Sequence, residues 1–160
     1  MHWRRREDGV VTGRLVDHRL AFLRGEMGSL QRLARRRLHA MPMLMPFGTG
    51  VTFAVSGALP DDERCRVLLA GFMPDEPDWV RQWWELDLWS RLEACARRVL
   101  SHVLVHDDGR VEIADPDSAD SFVMAVRAVA LIADHRFGAD GDHGWVTGWL
   151  RRIADMVISS

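Results

Sequence analysis

Asp78-Trp79-Val80-Arg81-Gln82-Trp83-Trp84-Glu85-Leu86-Asp87-Leu88-Trp89-Ser90-Arg91-Leu92 is the stretch on which the reading of this chain turns. Asp75 as a cap and an early Pro77 open a helix here that runs to about residue 104. With Trp79 at zero and about 100° per residue, Val80, Trp83 and Trp84 fall within the first 140° or so. Leu88, Trp89, Leu92, Ala96, Val99 and Val103 fall between about 180° and 280°. The apolar face therefore moves by roughly 160° along one rod, and a straight surface helix cannot bury both faces against one core. Either the helix breaks near Glu85–Asp87, or Trp79, Trp83 and Trp84 meet a different neighbour. That neighbour is the apolar loop 41–47 of the same chain or the surface of another molecule, since Trp and Arg dominate binding hot spots.

The loop on the N-terminal side is Met41-Pro42-Met43-Leu44-Met45-Pro46-Phe47-Gly48-Thr49-Gly50. Two prolines and two glycines exclude regular helix, yet the segment is strongly apolar, so it is either buried or part of an interface. Met43, Met45 and Phe47 join the three tryptophans as candidate partner-binding residues. Val51–Val55 has the β-branched and aromatic content of a strand. Pro60-Asp61-Asp62-Glu63 reads as the first turn of a helix closed by Gly71, with a strand over 66–72 as the rival.

Earlier still, Val16, Leu20, Leu23, Met27, Leu30, Ala34, Leu38 and Met41 keep one apolar stripe. They predict a basic amphipathic helix over 12–41, with Thr12 as its cap and residues 1–11 as a flexible lead-in. Gly25 and Gly28 leave one long helix and two collinear ones equally open. On the C-terminal side, Asp107-Asp108-Gly109 is a turn signal between 102–106 and 110–114, which predicts a small hairpin there unless the helix runs on. Asp115-Pro116 starts a helix that Gly138 ends, and a last helix spans about 144–158 with Trp145, Trp149, Ile153 and Val157 on one side. The expected fold is mostly α (α+β), a single globular domain over 1–160 with about five helices around one core and a short strand or β-hairpin.

Composition narrows the chemistry. The chain of 160 residues contains no lysine, so a P-loop, a pyridoxal-phosphate Schiff base and a kinase β3 lysine are all excluded. No apolar run approaches the roughly 20 residues of a membrane span, and no apolar segment follows the basic N-terminus as a secretory signal would require. Cys65 and Cys95 offer neither a disulfide framework nor a metal spacing, which fits a reducing cytosol. Residues 1–40 carry ten arginines against four acids, and residues 41–160 carry eleven against nineteen, so charges of +6 and −8 sum to −2. The basic first helix can dock on the acidic remainder or on nucleic acid, with Arg35, Arg36 and Arg37 as the candidate phosphate contacts. Three consecutive helical residues span about 200°, however, so the three cannot all face one duplex.

Arg97 and His102 have the spacing R-x4-H. This resembles the pair used by ribonucleases of the HEPN superfamily, which are helical and of similar size. The resemblance implies His102 as acid/base and Arg97 as the phosphate-steadying cation. On a regular helix the two sit about 140° apart. His102 and His106 share a helix face but need a third ligand to hold a metal; His135 with Asp134, or His143 with Asp142, could supply it, and nothing in the sequence shows that they converge. No metal and no cofactor is expected. Without a complete catalytic constellation, the first expectation is a non-enzymatic cytosolic interaction protein, a small regulator or adaptor. Its partner would be another protein or a second copy, through the Trp-rich helix and the apolar loop. RNA cleavage by Arg97 and His102 is the alternative, and nucleic-acid binding by the first helix is a second one.

Overall fold

The computed structural model describes residues 3–40, 45–47, 50–52, 61–73, 78–138 and 144–158, with side chains described for 3–40, 61–73, 84–138 and 146–158. The order is β1 (Arg4–Arg5), β2 (Val11–Arg14), α1 (Asp17–Ala40), β3 (Met45–Phe47), β4 (Gly50–Thr52), α2 (Glu63–Phe72), α3 (Asp78–Arg98) with a terminal π-turn (Val99–Val103), β5 (Arg110–Ile113), α4 (Pro116–Phe137) and α5 (Gly144–Ile158). Among the described residues this is five helices with a three-stranded antiparallel sheet β1-β2-β5 and a separate β3-β4 pair. It is the mostly α architecture that the helical periodicities predict.

Local signals explain most helix ends. The Asp62 carboxylate accepts from the Arg64 amide at 3.0 Å and starts α2, so 63–72 is helix and not strand. Gly71 is the penultimate residue of α2, which ends at Phe72 within a residue of the expected close, and it also lies against α4. A Cβ on Gly71 would come within 2.5 Å of Leu131 Cδ1. Asp115 caps α4 through the Ser118 amide at 2.8 Å, Pro116 takes the first helical position, and Gly138 ends the helix at φ 72°. The α5 stripe buries Trp149, Leu150, Ile153 and Val157 against α4. Trp145 lies outside the described side chains.

Two expectations need correction. The first helix begins at Asp17, not near residue 12, and Val11–Arg14 forms the central strand of the sheet. Val11 and Leu15 are buried by this arrangement, whereas Val16, the first member of the supposed stripe, is 55% exposed. Thr12 is no cap; it pairs with Arg4 on one side and Glu112 on the other. Nor are residues 3–11 a loose arm, because β1 pairs with β2 and Trp3 packs on Phe122 at 6.1 Å between ring centroids. From there α1 continues unbroken past Gly25 and Gly28.

The second correction concerns 102–114. The turn at Asp107-Asp108-Gly109 is present, with Gly109 at φ 79°, but β5 pairs with β2 across about a hundred residues and not with 102–106. The preceding segment instead finishes α3 as a π-turn, closed by the Leu104 amide on the Val99 carbonyl at 2.9 Å. The wider turn lets Val99, Val103 and Leu104 all reach the core. Arg24 then caps the exposed end, donating to the Leu104 carbonyl at 2.8 Å.

Candidate docking site between α2, α3, α4 and α5

α3 is one continuous helix, so the change of apolar face is not accommodated by a break. Its second half is core: Trp89, Leu92 and Ala96 are fully buried. Trp84, five residues before Trp89, stands 47% exposed on the other side. Trp79 and Trp83 lie on α3 outside the described side chains. Met43 lies outside the described residues, and Met45 and Phe47 are placed only as backbone in β3, paired with Thr52 and Gly50 of β4.

What fixes Trp89 inward is the interface with α1. The Glu85 carboxylate, 13% exposed, accepts from the Trp89 indole at 3.0 Å and pairs with Arg37 at 2.6 Å. Two turns on, Glu93 accepts from Arg35 at 2.8 Å and Gln31 at 3.2 Å. The Arg35 guanidinium, ahead of Gln31 and the charge of Arg97, holds the Glu93 carboxyl below its ordinary value. Two of the three candidate phosphate contacts, Arg35 and Arg37, are thus engaged with α3. Arg36, the third of the triplet, lies near Asp62, whose carboxyl its charge helps to hold below the ordinary value. The basic first helix docks on acidic side chains of its own domain.

Trp84 stands over a cavity of about 410 Å³, walled by Met73, Leu88, Cys95, Val123 and Met124. A second cavity of about 460 Å³, lined by Gly71, Leu131, Asp134, Arg151 and Ala154, shares Phe72, Arg127 and Ile158 with the first. Together they make one trough. α4 lines it from Asp120 through Met124, Arg127 and Leu131 to Asp134, a helical spacing that presents one face for four turns. Ile158, 62% exposed, and Trp84 are the largest uncovered apolar side chains on it. Cys95 is a free thiol in the wall, with its Sγ 3.8 Å from Met124 Sδ. Burial raises its pKa above the ordinary thiol value, so it is a packing group and not a nucleophile.

Arg97 and His102 lie on the opposite end of α3. Arg97 pairs loosely with Glu93 at 3.9 Å, and His102 is exposed on the π-turn. His106 contacts Arg110 at 3.3 Å and not His102. Among the described residues, no group of three or more His, Cys, Asp or Glu side chains is placed to hold a metal ion. Sequence periodicity pointed to Trp84 but not to Phe72, Met124 or Ile158. For Met124 the signal was the outward face of α4, where Met124 and Leu131 alternate with Asp120, Arg127 and Asp134; Phe72 at the end of α2 and Ile158 at the end of α5 carried none.

Fold and trough together define a helical domain with an open trough of mixed apolar and charged lining. The chain belongs to the family described as Domain of unknown function (DUF2017), whose profile matches residues 1–152. No curated protein and no solved structure matches it. No described helix is long and apolar enough to cross a membrane.

Proposed function

We propose that this domain is a non-enzymatic interaction module, a small regulator or adaptor acting in the cytosol, that docks a partner protein in the trough beside Trp84. The observation that carries this reading is the contrast within α3: Trp89 is fully buried while Trp84 is 47% exposed beside a trough of mixed apolar and charged lining. Trp is enriched at binding hot spots, and here Trp84 stands with Ile158 and Met124 at the edge of one groove.

The test is co-purification from the native cell with wild type, Trp84→Ala and Trp84→Asp chains of equal helicity. The expected result is a co-purifying protein that Trp84→Ala weakens and Trp84→Asp removes. Identical recovery with all three chains would overturn the reading.

One observation favours a second reading, RNA cleavage. A π-turn wraps five residues where an α-turn wraps fewer, which brings Arg97 and His102 toward a common face. Against it, both residues sit at the C-terminal, negative end of α3, where phosphate is disfavoured. Loss of RNA degradation on His102→Ala would support this reading, and absence of degradation by wild type would end it.

A further inference from the structure

The four elements lining the trough are all helices, and they present side chains, not a strand edge. An extended segment laid there would find no backbone partner for its own amides and carbonyls, whereas a helix satisfies them internally. Asp120 to Asp134 spans 14 residues of α4, about 21 Å at the helical rise, which sets the length of a matching helix at about four turns.

The charges in the channel are patterned. Arg91 is engaged by Asp87 at 3.6 Å and Arg151 by Asp134 at 2.5 Å. Among the described residues Arg127, which both cavities share, has no ion pair, nor do Asp120 in one cavity and Asp155 in the other. Uncommitted charge in the trough thus centres on a guanidinium with one carboxylate in each lobe.

We propose that the trough receives an amphipathic helix of a partner protein, about four turns long, with its apolar stripe inward, an acidic residue against Arg127 and basic residues toward Asp120 and Asp155. This rests on the docking reading above and adds to it the conformation and charge order of the occupant. Opposite charges across the channel would set register and direction, while Trp84, Met124, Leu131 and Ile158 supply the apolar contact.

The probe is a designed 15-residue helical peptide with a leucine stripe, one central glutamate, a lysine seven residues to one side and a lysine four residues to the other, since Asp155 on α5 lies about one turn beyond the level of Arg127. Its control has every charge inverted. Fluorescence anisotropy of the labelled peptides against the full chain should show the first binding about tenfold tighter. Arg127→Glu, an exposed substitution, should abolish or reverse that preference, and Trp84→Asp should weaken both peptides. Equal affinity for the two peptides, no binding of either, or a preference that survives Arg127→Glu would overturn the proposal. Equal affinities that Trp84→Asp still removes would leave apolar docking standing and eliminate only the charge order. Sedimentation of the chain alone closes the remaining route: a dimer that Trp84→Asp dissolves would make a second copy the occupant and refute a partner helix.

Discussion

Replacing Trp89 and Trp84 separately by alanine measures the division of labour along α3. Trp89 is fully buried and its indole donates to Glu85. Truncating a core Trp costs roughly 3–5 kcal/mol, the lost transfer energy plus the cavity left behind. The hydrogen bond to a carboxylate adds to this, so about 4 kcal/mol is a conservative expectation. Trp84 is 47% exposed, so only about half the contact area is at stake, and the uncovered side leaves no closed cavity. Its removal should cost at most about 2 kcal/mol. For a chain of this size the first variant should melt roughly 8–16 °C below wild type and the second no more than about 8 °C below. Urea unfolding followed by far-UV circular dichroism gives the difference directly, with unchanged slope if the unfolded state is unaltered. Equal destabilisation by the two substitutions would show that Trp84 is core, and the reasoning that separates the two faces would fail.

Three further outcomes follow from the same contacts. Gly109 sits at φ 79° with its carbonyl accepting from the Leu15 amide, and a Cβ there would collide with the Leu15 carbonyl. Gly109→Ala should therefore cost about 2 kcal/mol or more in a urea melt, and a neutral result would mean the β2–β5 connection is misplaced. Glu93 is held below its ordinary value of 4.5 by Arg35, and the capping carboxylates Asp62 and Asp115 are held below 3.8 by Arg64 and Ser118 respectively. A carboxyl whose folded pKa is depressed contributes stability above its unfolded value and loses it as pH falls through the folded one. Stability should thus be flat toward neutrality and decline from about pH 4.5 downward, with a shallower decline in Glu93→Gln; equal acid slopes for the two chains would contradict this. Burial pushes the Cys65 thiol up to about 11, so iodoacetamide at pH 8 should leave it unmodified in the folded chain and alkylate it in guanidinium, as read by peptide mass.

Much of the fold is legible in the sequence because its helix ends are written locally. Asp62, Asp115-Pro116 and Gly138 each satisfy or terminate a helix with atoms a few residues away. What is not legible is the non-local pairing. Val11-Thr12-Gly13-Arg14 is too short and too polar to show a clear strand alternation, and only β5, about a hundred residues later, makes it a strand. The 102–114 segment fails for the same reason, since its partner is β2 and not its neighbour. The site divides similarly. Trp84 stands out because one helix cannot bury two faces, a property of its own periodicity. The trough requires Phe72, Met124, Arg127 and Ile158 to converge from three other helices, and no spacing along the chain encodes that.

Site-specific photocross-linking in the native cell tests the docking claim most directly. A photoreactive phenylalanine analogue at position 84 is compared with one at position 105, where Val105 is 45% exposed in the segment after the π-turn. The account predicts a discrete adduct with another protein from position 84 and none from position 105. The same adducts from both positions, or none from position 84, would contradict it.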